Sequence, residues 1–379
     1  MTGLRGAFAL WVVVFHTLGG LELQGVPVEA LLSQPLSRFL FSGALAVEGF
    51  FILSGFILSF AYAAVFVPLV PLSRRWGHVA GRFLWARLAR IYPVHIAVTA
   101  AFVGLYFSGF KWVVAICGNP LNRPPECSRF TAEGLSDQVL LISAWGVDPT
   151  VHWNFVAWSI SAEWFAYLWF PLLVVAASRV PPKVALATAL ALLAVTSPLQ
   201  AHWGRQFHGI ADTYSILRVI PTFISGCLLY TFYRSPTFEM TPWPFVALAS
   251  MVAVAALTMS QVVPMESVVF LALLILSLAS RQRGVIHRLL SARPLRWLGK
   301  ISYSLYMTHF LTLELIQSAM LEFKLQQNYK YGSRVLVACV GSVLVTCLVA
   351  AVVFRLIEQP AREVMGGRSA KTREPAPIR

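Results

Sequence analysis

Ten apolar runs recur along this chain, each near the length that crosses a bilayer, and they leave little room for any other fold. They cover residues 4–21, 40–66, 91–109, 152–178, 183–200, 214–233, 243–262, 265–280, 300–321 and 334–357. A helix needs about 20 apolar residues to cross a hydrocarbon layer of about 30 Å, and inside it every backbone polar group must be satisfied within the segment. Composition agrees: 58% of residues are apolar and 12% charged, against roughly 45–50% and about 25% in soluble domains. The expected fold is therefore all-α, a polytopic bundle of about ten transmembrane helices. Residues 1–360 form one membrane domain, and 361–379 a short tail ending in the charged, Gly/Pro-containing GGRSAKTREPAPIR, which reads as disordered. The first run has one basic residue and no small-residue cleavage signature, so it is expected to stay as a span.

The net charge of +14 could suggest nucleic acid, but its placement does not. With the N-terminus inside, cytoplasmic segments carry 21 of the Lys and Arg residues and outward segments eight, leaving Arg218 within a span. The opposite orientation inverts that ratio, so both termini are expected in the cytoplasm. The basicity is mainly a topology signal, with a second use in holding anionic phosphates. Cys117 and Cys127 share the outward loop 110–151, where an oxidising compartment would allow a disulfide. Cys227, Cys339 and Cys347 fall in spans and read as packing residues. No metal-ligand spacing of Cys or His occurs, and no metal is expected.

The first run holds the most informative polar residues. Arg5 and His16 are eleven positions apart, hence roughly 20° apart around a helix and about 16 Å along it. Arg5 then sits at one membrane surface and His16 within the hydrocarbon, where an ionisable residue marks a functional site by default. Glu48, in the next antiparallel span, lies at a comparable depth. A carboxylate beside an imidazole fixes its tautomer and stabilises the imidazolium, making the histidine a competent general base. The alternative is that each is a polar packing contact between helices.

Arg87 and Arg90 in RFLWARLARIYP are neighbours on one helical face. Paired guanidiniums can grip phosphate, although a basic collar at lipid headgroups would look the same. In VHWNFVAWSISAEWF, Glu163 falls near mid-membrane among Trp158, Trp164 and Tyr167, a pattern suited to a cavity wall for sugar rings. His152 and Trp153 lie at the outer edge, where an acceptor could be held. In GKISYSLYMTHFLTLE, helical spacing puts Ser302, Tyr306 and His309 on one face, and Glu314 continues it outward. Arg355 and Glu358, in RLIEQPAR, are read as a structural ion pair.

Together these segments resemble the acyltransferase-3 family of integral membrane acyltransferases. The matching features are Arg5 with ten residues before His16, GFFILSGF, the Arg87/Arg90 pair, WSISAEWF, ISYSLYMTH and the closing IEQPAR, in family order. The resemblance implies transfer of an acyl group, commonly acetyl, from cytoplasmic acyl-CoA to a hydroxyl of an extracytoplasmic glycan or glycolipid such as lipopolysaccharide or another polysaccharide, at the bacterial cytoplasmic membrane. By that likeness His16 is the essential catalytic histidine with Glu48 beside it. Arg5 is by the same likeness the motif partner of His16, and Arg87 with Arg90 are the candidates for the CoA phosphates. From the residues themselves, Arg5 and Tyr306 are placed toward the acyl-CoA co-substrate, and His152, Trp158, Glu163 and His309 toward the acceptor. Glu48 departs from the family, where Asp is frequent. Relatives often carry a further extracytoplasmic hydrolase-like domain that this chain lacks, so transfer would be completed in the bundle or handed to a separate protein. Direct attack with His16 as base and an acyl-histidine route both remain open. The competing reading is a proton-coupled transporter or flippase for a glycan or lipid-linked precursor. Such a protein would often show repeated halves and helices broken by Gly and Pro, and no convincing repeat is present.

Overall fold

A computed structural model of the chain describes residues 1–26, 28, 32–108, 130–147, 153–206, 215–260, 267–323 and 332–365. Among them there is no strand. In chain order the helices are α1 (Thr2–Leu23), α2 (Gln34–Phe41), α3 (Leu45–Phe66), α4 (Arg74–Phe107), α5 (Ala132–Val139), α6 (Ala157–Ser178), α7 (Pro182–Gln206) and α8 (Ser215–Tyr233). They continue with α9 (Pro236–Met240), α10 (Trp243–Met259), α11 (Ser267–Leu278), α12 (Val285–Leu290), α13 (Arg293–Glu322) and α14 (Gly332–Val353). A π-helical turn, Phe354–Glu358, then leads into α15 (Gln359–Met365).

Each expected apolar run overlaps a helix. Among the described residues six helical segments are long and apolar enough to cross a membrane, with shorter apolar helices at Pro182–Thr196, Trp243–Met259 and Ser267–Leu278. The chain is an all-helical integral membrane protein. α13, with 30 residues, is long enough but not apolar enough, because its inward face carries Ser302, Ser304, Thr308, His309, Thr312 and Glu314, all buried. Such a helix is stable in lipid only with that face turned to other helices.

Two boundaries differ from the apolar pattern. The run 40–66 is split, because α2 ends at Phe41 and α3 starts at Leu45. The run 91–109 is only the second half of α4, a continuous helix of 34 residues and hence about 51 Å long. The Ser73 hydroxyl caps it by accepting from the Trp76 backbone N–H at 3.3 Å. Arg87 and Arg90 therefore stand on the same rigid element as the apolar segment after Pro93. Cys117, Cys127 and residues 366–379 lie outside the described residues.

Two close crossings set the geometry. α1 packs extensively on α13, and α3 on α8. In the first, a Cβ added at Gly299 would fall 1.8 Å from the Thr2 carbonyl oxygen, and one at Gly6 2.1 Å from that of Leu295. In the second the contact is reciprocal: a Cβ on Gly55 would lie 2.2 Å from the Phe223 oxygen, and one on Gly226 2.1 Å from the Ile52 oxygen. Lipid tails are as apolar as leucine, so helices associate largely through close packing, which small residues permit. Gly226→Ala should push α3 and α8 apart at a cost of about 1–3 kcal/mol. Thermal denaturation in detergent should show a lowered midpoint, and an unchanged midpoint would contradict the crossing.

Candidate functional site

Arg5 on α1, Arg87 and Arg90 on α4, Glu163 on α6 and Tyr306 on α13 come from four helices and line one cavity of about 110 Å3. Arg5 is fixed by donating from Nη2 to Ser302 Oγ at 2.9 Å. The Arg87 guanidinium lies 5.7 Å from the Tyr62 ring centroid and 5.8 Å from that of Phe83, and Nη2 reaches Tyr62 Oη at 3.5 Å. Aromatic faces hold such a cation while leaving its N–H groups free for an anion. Across the cavity, Glu163 Oε1 accepts from Ser54 Oγ at 2.7 Å and from Tyr167 Oη at 2.5 Å. Three guanidiniums against one carboxylate make the lining cationic, and planar donors of this kind suit phosphate or carboxylate oxygens.

Tyr306 forms the wall between this cavity and the histidines. Its hydroxyl accepts from Ser159 Oγ at 2.8 Å, and its ring lies 5.6 Å from that of His309. His309 in turn meets His16, with Nε2 of His309 3.3 Å from Nδ1 of His16. Arg5 and His16 thus share α1 but serve different places, Arg5 in the cavity and His16 against α13.

The expected pairing of Glu48 with His16 is not what forms. Glu48 Oε1 accepts from Arg218 Nε of α8, and among the described residues no ion pair joins Glu48 to His16. The cause is the α3–α8 crossing, which brings a permanent cation to a buried carboxylate; a full charge neutralises it better than an imidazole does. Trp158 is also placed differently. It lies five residues before Glu163, about 140° around the helix, and its ring packs 5.2 Å from the Arg218 guanidinium instead of lining the cavity. Glu358 pairs with Arg362, not Arg355, and also accepts from the Ser304 hydroxyl of α13. The π turn widens the helix there, so the i, i+3 stacking is lost and Arg355 faces outward. His152 lies outside the described residues. Among those residues no group of His, Cys, Asp or Glu is arranged to hold a metal.

Two functional-looking residues escaped the sequence reading. Arg218 was visible only as a basic residue stranded in a span. His95, fully buried on α4, lies 2.7 Å from the Gln138 carbonyl oxygen through Nε2. Gln138 Nε2 donates to the Asn154 carbonyl at 3.0 Å, and Asn154 Nδ2 to that of Met307 at 3.3 Å. This chain of bonds clamps α5 and the start of α6 onto α13, two residues from His309. The only signal for it was a histidine inside an apolar run.

The sequence comparison decides the family. A profile described as an acyltransferase domain matches residues 1–352. The chain belongs to the acyltransferase-3 family. It is also similar to acyltransferase MdmB of Streptomyces mycarofaciens, at 25% identity over 405 aligned positions that cover 100% of this chain and 95% of that protein. No solved structure matches the chain.

The Glu48–Arg218 pair should behave as a buried ion pair. Removing one partner, as in Arg218→Ala, leaves an uncompensated charge and should cost about 3–5 kcal/mol. Replacing both with Leu and Met should restore much of that loss. Unfolding midpoints of the two single variants and the double variant in detergent test this, and additive losses would contradict it.

Proposed function

We propose that the protein is a membrane O-acyltransferase that moves an acyl group from cytoplasmic acyl-CoA to a hydroxyl of an extracytoplasmic glycan or glycolipid. The observation that carries this reading is the cationic cavity of Arg5, Arg87 and Arg90, separated by Tyr306 from a pair of histidines, His309 buried and His16 half-buried. Family membership supports acyl transfer as the reaction class. The excess of Lys and Arg on one side supports an orientation with both termini in the cytoplasm, and ten spans in a bacterial inner membrane complete the reading.

In this reading the arginines hold the phosphates of the CoA, and the pantetheine passes along the α1–α13 face. The thioester then comes beside Tyr306 and His16. Acetyl, the group that the family resemblance implies, is the assignment. The acceptor hydroxyl approaches from the opposite end and His16 removes its proton as it attacks the thioester carbonyl. The rings of Phe15, Phe155 and Phe310 around the half-buried His16 limit the approach of water to it.

Purified protein in nanodiscs, given acetyl-CoA labelled in the acetyl group and a cell-envelope glycan fraction, should release CoA only when glycan is present. His16→Ala should fall below about 1% of that rate while remaining folded, in keeping with the 10²–10⁴-fold worth of general-base catalysis. Arg87→Ala with Arg90→Ala should raise the KM for acetyl-CoA about tenfold or more, the loss of charge-assisted phosphate contacts. Full CoA release by His16→Ala would overturn the assignment, and glycan movement without CoA release would favour transport.

A further inference from the structure

His16 and His309 come from sequence positions 293 residues apart and meet between α1 and α13 with ring centroids 4.9 Å apart. Each ring is also held by a main-chain carbonyl one helical turn earlier. His16 Nδ1 lies 3.0 Å from the Val12 oxygen, and His309 Nδ1 lies 2.5 Å from the Tyr306 oxygen. A carbonyl oxygen can only accept, so in both neutral rings Nδ1 carries the proton. His309 Nε2 is then a bare lone pair 3.3 Å from His16 Nδ1, so the single Nδ1–H of His16 is shared in a three-centre bond between the Val12 oxygen and His309. The two carbonyls assign both tautomers, and the contact between the rings has the matching polarity of donor to acceptor. What remains unbound on His16 is the lone pair of Nε2, the atom a base needs.

We infer that His309 is a positioning residue for His16: it accepts the Nδ1–H, holds the ring so that Nε2 is the base, and spreads the charge of the imidazolium. The inference rests on the assignment of His16 in the proposed reaction. It moves His309 from the acceptor site, where the sequence put it, to the support of the base. In a serine-protease triad this place belongs to a carboxylate. Here no carboxylate forms an ion pair with His16 among the described residues. Within hydrocarbon a neutral imidazole does the same orienting work without a second buried charge. His309 is fully buried on the polar face of α13, and Phe15, Phe155 and Phe310 pack on the His16 ring. Those rings offer no hydrogen-bond acceptor of comparable strength for the Nδ1–H if His309 is removed; only the Val12 carbonyl remains.

The step balances. As the acceptor oxygen bonds to the thioester carbonyl carbon, its proton passes to His16 Nε2, and Nδ1–H stays on His16, bonded to His309 Nε2. When the carbon–sulfur bond breaks, the leaving CoA thiolate takes the proton from Nε2. Neutral His16, free CoA and the acylated acceptor result, and His309 ends as it began.

The test uses the full chain in nanodiscs, with acetyl-CoA and the cell-envelope glycan fraction. His309→Phe keeps ring volume but offers no acceptor, whereas the side-chain oxygen of His309→Gln can reach the position of Nε2. His309→Phe should lose about 100-fold in kcat with KM for acetyl-CoA and for glycan within about threefold, and His309→Gln should recover at least about tenfold of that loss. A rise in KM with kcat unchanged would return His309 to substrate binding and overturn the proposal. So would equal activity of the Phe and Gln variants. Nitrogen-15 spectra of histidine-labelled wild-type protein, compared with His16→Ala and His309→Gln for assignment, give a readout that needs no folded Phe variant. They should show both rings protonated at Nδ1, and a His16 protonated at Nε2 would overturn the proposal. If His16→Ala itself stays active, the proposed reaction fails, while the tautomer measurement still judges the pair.

Discussion

Hydrocarbon supplies no water to a buried charge, and the arrangement of this bundle is largely an answer to that constraint. Glu48 is met by Arg218, Glu358 by Arg362 and the Ser304 hydroxyl, and Glu163 by Ser54 and Tyr167. Each of these contacts joins different helices or ties a helix to its own next turn. Glu48 meets Arg218 across a crossing that glycines make close, Gly55 and Gly226 bringing α3 to α8, and Gly6 and Gly299 likewise bring α1 to α13. The polar face of α13 is the extreme case. It is tolerated because α1, α4 and α14 cover it, and that cover is what puts Arg5, Tyr306, His16 and His309 in one neighbourhood.

Much of the fold was legible because bilayer thickness imposes one length on every crossing element. The apolar runs overlap helices from α1 to α14, and α1 with α6 follow their runs closely. What could not be read was where a helix continues beyond the apolar part, since α4 runs on through a basic, aromatic segment whose pattern is helical but not apolar. The break between α2 and α3 falls at Ser42 and Gly43, a turn signal too short to stand out within a run that is otherwise apolar.

At the site, residues that share a helix were easier to place than residues that meet across helices. Arg87 with Arg90, and Ser302 with Tyr306, follow from helical spacing, and each pair lines the cavity. Depth along a span suggested Glu48 for His16, but depth gives only one coordinate. Rotation about the helix axis and the order of helices around the bundle decide the rest, and these turned Glu48 to Arg218 and His309 to His16. The long reach of Trp158 to the Arg218 guanidinium was hidden for the same reason. His95 went unread because its partner is a main-chain carbonyl, which no side-chain pattern can announce.

Pro93 stands on α4 between Arg90 and His95. A proline has no N–H, so the Ala89 carbonyl loses its partner one turn earlier, and the ring crowds that same turn. Toward the Phe107 end, His95 is clamped through Gln138 and Asn154 to α13; toward the Arg74 end, the same helix carries the arginines of the cavity. The gap in the backbone bonding therefore lies between the half clamped through His95 and the half that carries the cavity arginines. Both sides of Pro93 are held from outside the helix: His95 through Gln138 and Asn154, and on the other side Trp85, whose Nε1 donates to the Met365 carbonyl at 3.0 Å, and Phe83, whose ring is buried, so neighbouring helices supply the stiffness that the missing backbone bond does not.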